Sequence, residues 1–129
     1  MTNILLVGTG GFIGSVLRYL VGGYVQESVK RLDFPYGTLA VNLIGCFVIG
    51  LLAQVGEKYG MFSNESRAFI FVGILGGFTT FSSFGNETVN LIRQNFMTSA
   101  FMNIGANVFL GLLAVWLGRF LGHLIWRYT

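Results

Sequence analysis

Four stretches of this chain are too apolar and too long to remain in water: Asn3 to Tyr24, interrupted by Arg18; Pro35 to Val55; Ala68 to Ile92; and Ser99 to Trp126. A helix takes about 20 mainly apolar residues to cross a bilayer. The links Gln26 to Phe34, Gly56 to Arg67 and Arg93 to Thr98 each carry charge, and none is long enough to form a domain. The pattern predicts an all-α integral membrane fold, one four-helix transmembrane domain over residues 1–129. Composition agrees. Charged residues are 10% of the chain and hydrophobic residues 53%, whereas soluble domains carry about 25% charged residues. A water-facing globule is therefore excluded. The 13 Phe and the low charge exclude disorder. A single Cys excludes a disulfide framework or a multi-cysteine metal site. Eight basic residues against five acidic give a net charge of +3 without a dense basic patch, so no nucleic-acid partner is expected. The first stretch lacks a basic leader and exceeds a signal-peptide core, so no cleavable signal is expected.

Helix boundaries are legible in the links. Asp33-Phe34-Pro35 offers a capping acid and a proline at the start of the second helix. Ser63-Asn64-Glu65 offers caps and an acid before the third. Trp126 and Tyr128 close the fourth, where interfacial aromatics are favoured. Four crossings put both termini on one side. Lys58, Arg67, Arg119 and Arg127 then fall toward that side, and Arg18, Lys30, Arg31 and Arg93 toward the other. Orientation is set by an asymmetry of Lys and Arg, and four against four supplies none. The chain is expected to insert both ways up, from which an antiparallel dual-topology homodimer follows naturally; the other reading is that a few charges balance by chance. Glycine contributes 19 residues. The pairs Gly10/Gly14, Gly73/Gly77 and Gly118/Gly122 have the four-residue spacing that lets helices approach closely.

The opening Ile4 to Gly14 reads superficially as a strand and a phosphate-binding glycine loop, with Asp33 near the place of a ribose-binding acid. The segments that follow are apolar over membrane-spanning lengths, and no parallel sheet can be assembled from them. Helix packing is the reading these glycines support.

Polar residues inside a membrane span are costly and point to function. They gather at Asn42; at Gly76-Gly77-Phe78-Thr79-Thr80-Phe81-Ser82-Ser83-Phe84, with Glu87 beyond; and at Asn103 and Asn107, which share a helix face. Two readings of the glycine–threonine–serine segment stand open. It can break the helix and free carbonyls that hold a hard cation such as Na⁺. It can also stay helical, with hydroxyls bonding back to their own backbone. Phe81 and Phe84 are three apart. Their positive ring edges suit a small anion, or they are simply core or lipid-facing rings.

The segments Gly11-Phe12-Ile13-Gly14-Ser15 with Arg18, Gly37-Thr38-Leu39 with Asn42, Gly45 and Gly50, and Gly76 to Phe84 with Glu87 resemble the Fluc (CrcB-type) fluoride channels over nearly the whole chain. The resemblance implies an antiparallel dual-topology homodimer with two pores in the cytoplasmic (inner) membrane, exporting fluoride passively and conferring fluoride resistance. It implies a structural Na⁺ at the dimer centre, held by the Gly76 and Thr79 carbonyls of both subunits. It matches Phe81 and Phe84 to the pore phenylalanines and Asn42 to the pore asparagine. It maps a polar track along helix three to Ser82 and Ser83, leading toward Glu87, and matches Arg18 to a basic residue near the aqueous vestibule. Thr80, Asn103 and Asn107 are assigned to the pore or its vestibule. Members often carry Ser-Thr where this chain has Ser82-Ser83, and some carry an aromatic or hydroxyl residue near Asn103 and Asn107.

The alternative is a small dual-topology four-helix drug or cation exporter. Such coupling needs an embedded acid early in the chain, yet the first two apolar stretches hold no Asp or Glu. A non-transporting assembly subunit would explain the glycines but not the clustered Asn, Ser and Thr. No enzyme is expected, because the lone His123 and lone Cys46 form no nucleophile–base pair. Dual insertion has a direct test: cysteines placed at either terminus are expected to react with an impermeant thiol reagent from both faces of the membrane. Labelling from one face alone would exclude it.

Overall fold

The computed structural model describes residues 1–30 and 33–125, and the side chain of Tyr59 is not described. Arg31 and Arg127, two of the charges counted above, and the interfacial pair Trp126 and Tyr128 lie outside the described residues.

Among the described residues all regular structure is helical. Four helices are long and apolar enough to cross a membrane: helix one (Thr2–Val29), helix two (Tyr36–Tyr59), helix three (Asn64–Arg93) and helix four (Met97–Ile125). Each overruns its apolar stretch. Helix one has 28 residues, and at 1.5 Å per residue its length is about 42 Å, beyond the ~30 Å hydrocarbon layer. The overrun brings Glu27 and Glu57 into terminal turns, where Glu57 pairs with Arg119 of helix four.

The turns come from local chemistry. Lys30 ends helix one in the left-handed region (φ 53°). Gly60 ends helix two the same way (φ 59°), its N–H returning to the Gly56 carbonyl. Ser63 caps helix three as expected, accepting from the Ser66 N–H. The start of helix two is held across helices. The residue at the cap position is Pro35, whose side chain has no acceptor. The acceptor comes instead from helix one: Gln26 Oε1 takes the Gly37 N–H at 3.0 Å, while its Nε2 donates to the Phe34 carbonyl at 3.1 Å. Asp33 is two residues before the cap, and the clamp is tertiary.

Helix one packs on the first half of helix three, and helix two on helix four. Both pairings depend on the spaced glycines. A Cβ on Gly14 would strike the Ile74 carbonyl, and one on Gly77 the backbone of Gly11. On the other pair, a Cβ on Gly50 would meet the Val115 backbone and one on Gly118 the Phe47 carbonyl. Hydrocarbon offers helices no hydrophobic drive to associate, so close van der Waals contact must supply it. The buried core is correspondingly thin. Val41 is 1% exposed, and Leu75, Phe78, Leu91 and Ala100 are also buried, while Phe12, Phe101 and Phe109 face outward.

Two stretches widen to π-helix, Ala68–Leu75 in helix three and Ala106–Leu110 in helix four. Such widening often accompanies functional positions, and the second stretch carries Asn107.

Overpacking a tight contact typically costs about 1–3 kcal/mol. Gly14→Leu and Gly118→Leu are expected to lower the melting temperature in detergent, with Gly8→Ala unchanged because open space surrounds that position.

Candidate functional site

Within helix three, Thr79 (φ −89°, ψ 158°) and Thr80 (φ −150°, ψ 115°) are extended, between helical Gly76–Phe78 and helical Phe81–Arg93. Their own side chains bond locally on both sides. Thr79 Oγ1 donates to the Leu75 carbonyl at 3.0 Å. Thr80 Oγ1 accepts the Ser83 N–H at 3.1 Å and so caps the helix that restarts at Phe81. The same hydroxyl lies within hydrogen-bond distance of Ser82 Oγ and Ser83 Oγ.

Helix two supplies the rest. Asn42 Oδ1 accepts the Thr80 N–H at 2.8 Å, and Asn42 Nδ2 donates to the Thr80 carbonyl at 3.2 Å. One amide side chain thus answers both backbone groups of a residue that has left the helix. In an unbroken helix the Thr80 N–H would serve the Gly76 carbonyl and the Ser83 N–H the Thr79 carbonyl. Here those donors are directed to Asn42 and to the Thr80 hydroxyl. The Thr79 carbonyl accepts instead from Arg18 Nη1 at 3.3 Å. Arg18 is well inside helix one, so it is a partner of this region rather than a helix-end charge.

Asn42 also donates to Asn107 Oδ1 at 2.9 Å. Asn107 Nδ2 donates to the backbone carbonyl and the Oδ1 of Asn103, each at 3.0 Å. Asn103, 0% exposed, donates to Thr88 Oγ1 at 2.9 Å, which in turn donates to the Phe84 carbonyl at 2.7 Å. Glu87 accepts from the Thr38 hydroxyl at 2.6 Å, and its second carboxylate oxygen is buried without a partner among the described residues.

Two hollows flank the interruption. The larger, about 620 Å³, is lined by Arg18, Gln26, Thr38, Thr80, Ser83 and Glu87 among others. The smaller, about 340 Å³, is lined by Asn42, Thr79, Thr80, Phe81, Phe84 and Asn107, with Gly76 and Cys46 also on its wall. Thr80 and its neighbourhood separate the two. The Phe81 and Phe84 rings are 5.3 Å apart and inclined at 59°; Phe81 is 83% exposed and Phe84 8%.

Of the residues singled out in the sequence, all but two line one hollow or the other. Ser82 is exposed and reaches the site through Thr80. Asn103 is buried behind Asn107. Thr38 and Thr88 had no assigned role in the sequence reading. Thr88 lies four residues beyond Phe84 and so on its helix face, a signal that could have been read. Gln26 had none, because its partners lie across a turn.

Among the described residues no three His, Cys, Asp or Glu side chains cluster as a metal site. A hard cation here would need backbone oxygens. The Gly76 and Thr79 carbonyls are the candidates, since their helical donors are diverted; the Thr79 carbonyl already accepts from the Arg18 guanidinium, whose positive charge competes with a cation there.

Four apolar helices with a hydroxyl- and amide-lined interruption between two hollows define a multi-pass membrane protein with polar groups gathered among its helices. A family model described as "CrcB-like protein, Camphor Resistance (CrcB)" matches residues 5–119. The chain is 44% identical to "Fluoride-specific ion channel FluC 3" of Methanosarcina barkeri, over 92% of this chain and 89% of that protein. It is 45% identical to "Fluoride-specific ion channel FluC 1" of Methanosarcina acetivorans over the same shares. It is 46% identical to "Fluoride-specific ion channel FluC" of Parabacteroides distasonis, over 95% and 94%. The chain belongs to the CrcB family, and these relatives are channels, not enzymes.

Proposed function

We propose that this chain is a fluoride-selective channel that lets fluoride leave the cell passively across the cytoplasmic membrane and so lowers its internal concentration. The observation that carries this reading is the meeting of two hollows at Thr80, where hydroxyls and aromatic rings converge. The names of its relatives support the choice of ion.

Fluoride is small and strongly hydrated. A pore for it must offset dehydration with dense donors yet release the ion. Ser82 and Ser83 supply hydroxyl donors within one turn, placed by the Thr80 hydroxyl, which donates to Ser83 Oγ. Phe81 and Phe84 offer positive ring edges and a narrow wall that rejects larger anions. Asn42 and Asn107 form the facing wall. Arg18, on the larger hollow, raises the local anion concentration. Thr38 holds Glu87 to one side of that hollow by a hydrogen bond.

The working unit of this proposal is an antiparallel dual-topology homodimer. A two-fold pair repeats the Phe81/Phe84 constellation and so has two pores. Hard cations take several oxygen ligands, and one chain brings two candidate carbonyls, that of Thr79 on release from Arg18. Gly76 and Thr79 from both copies make a four-oxygen site for a structural Na⁺. That ion would neutralise carbonyl dipoles where two chains meet. Outward-facing apolar side chains are left for lipid and for the partner.

The test is efflux from proteoliposomes read with a fluoride-selective electrode, with chloride as the control. Fluoride is expected to leave and chloride to stay; flux of both anions, or of neither, overturns the proposal. Phe81→Ile or Phe84→Ile removes a positive ring edge from the wall and is expected to slow efflux. Undiminished flux in both variants would remove the rings from the pathway.

A further inference from the structure

Helix two begins without a local side-chain cap. Pro35 stands at the cap position, where Ser, Thr, Asp or Asn would ordinarily accept an orphan N–H. Gln26, half-buried on helix one, takes over that task with both ends of its amide. Its Oε1 accepts the Gly37 N–H at 3.0 Å, and its Nε2 donates to the Phe34 carbonyl at 3.1 Å. A carboxylate of the same length would bring no donor, and a lysine no acceptor.

A local cap satisfies a helix end and leaves the helix free to move as a body. A cap reached from another helix also fixes how far apart the two helices stand. A second contact acts at the same place. Gly22 lies one turn before Gln26, and a Cβ on Gly37 would strike the Gly22 carbonyl. Gly37 is thus held on helix one twice, by the backbone of Gly22 and by the amide of Gln26. The next residue is Thr38, whose hydroxyl donates to Glu87 Oε1 of helix three at 2.6 Å. Gln26, Phe34, Gly37, Thr38 and Glu87 all line the larger hollow. A hydrogen bond weakens steeply as its angle and distance open. The Thr38 hydroxyl therefore meets Glu87 only while the first turn of helix two keeps its place. Resting on the fluoride reading above, we propose that Gln26 is a positioning residue for the ion route. Through Gly37 it sets the place of the Thr38 hydroxyl and, through that hydroxyl, of the Glu87 carboxyl group on the wall of the larger hollow.

The test uses the full chain in lipid nanodiscs with Gln26→Met, which keeps the side chain's length and removes both polar groups. Amide exchange of Gly37, read by NMR, reports the clamp. The Glu87 carboxyl ¹³C resonance reports the Thr38 contact, and Thr38→Val, which deletes that contact and leaves Gln26 intact, supplies the reference. In Gln26→Met, loss of one hydrogen bond is expected to speed Gly37 exchange about tenfold. The Glu87 resonance is expected to move in the direction it moves in Thr38→Val. Fluoride efflux from proteoliposomes is expected to fall. Residues acting on one contact are non-additive, so Gln26→Met/Thr38→Val is expected to lose no more efflux than Thr38→Val alone. A merely structural Gln26 would speed Gly37 exchange and leave the Glu87 resonance in place, and that result overturns the proposal. So do Gly37 exchange at the wild-type rate, undiminished efflux in Gln26→Met, and single losses that multiply in the double variant. Should Gln26→Met fail to fold, Gln26→Asn, one methylene too short to reach both groups, is judged by the same two spectra. Both spectra are read with or without conduction. A wild-type protein passing no fluoride would therefore refute the channel, while the exchange rate and the Glu87 resonance still decide whether Gln26 positions Thr38.

Discussion

A peptide group that leaves a helix inside hydrocarbon must find a partner, since no water is there to accept the task. In this chain the peptide groups of Thr80 find theirs in one amide, Asn42, which faces both the N–H and the carbonyl. The rest of the site depends on that pairing. It allows Thr80 to be extended, which allows Thr80 Oγ1 to cap a new helix at Phe81, which gathers Ser82, Ser83, Phe81 and Phe84 on one turn. Without it, two unsatisfied backbone groups would each cost about 1–3 kcal/mol, and a continuous helix would be the lower state.

That pairing requires helix two to lie close to helix three, and the glycines make such closeness general. Gly14 and Gly77 set helix one against helix three; Gly50 and Gly118 set helix two against helix four. Helix four brings Asn107 to Asn42 only because helices two and four approach at backbone distance. Gln26 holds the beginning of helix two from helix one, fixing the end of the helix that carries Thr38 and Asn42. The polar groups are thus positioned by backbone contacts of small residues, not by a bulky core.

Much of this was legible residue by residue. The four helices follow from apolar length alone, and all four appear, extended by a turn or so into charged flanks. The spaced glycines pointed to close approach, and each pair now has its opposing backbone. The clustered Asn, Thr and Ser were marked as the polar interior. The two open readings of the Gly76–Phe84 segment each describe part of it: Thr79 does bond back to Leu75, while Thr80 bonds forward as a cap. What could not be read were the partners across helices. Thr38 with Glu87, Thr88 with Asn103, and Gln26 with the start of helix two all join positions whose proximity no local period encodes.

By itself, then, the sequence determined the solvent, the number of crossings and the stock of polar groups, because these depend on how much apolar surface each segment carries and where its charges stop. Tertiary structure decided which donor meets which acceptor. Asn42 stood out as a polar residue inside a span; the fold sets its amide between Thr80 and Asn107, with bond directions dictated by the backbone of another helix. Hydropathy is summed along a chain, whereas hydrogen bonds are closed across it, and only the folded arrangement of helices two, three and four brings both ends of each bond together.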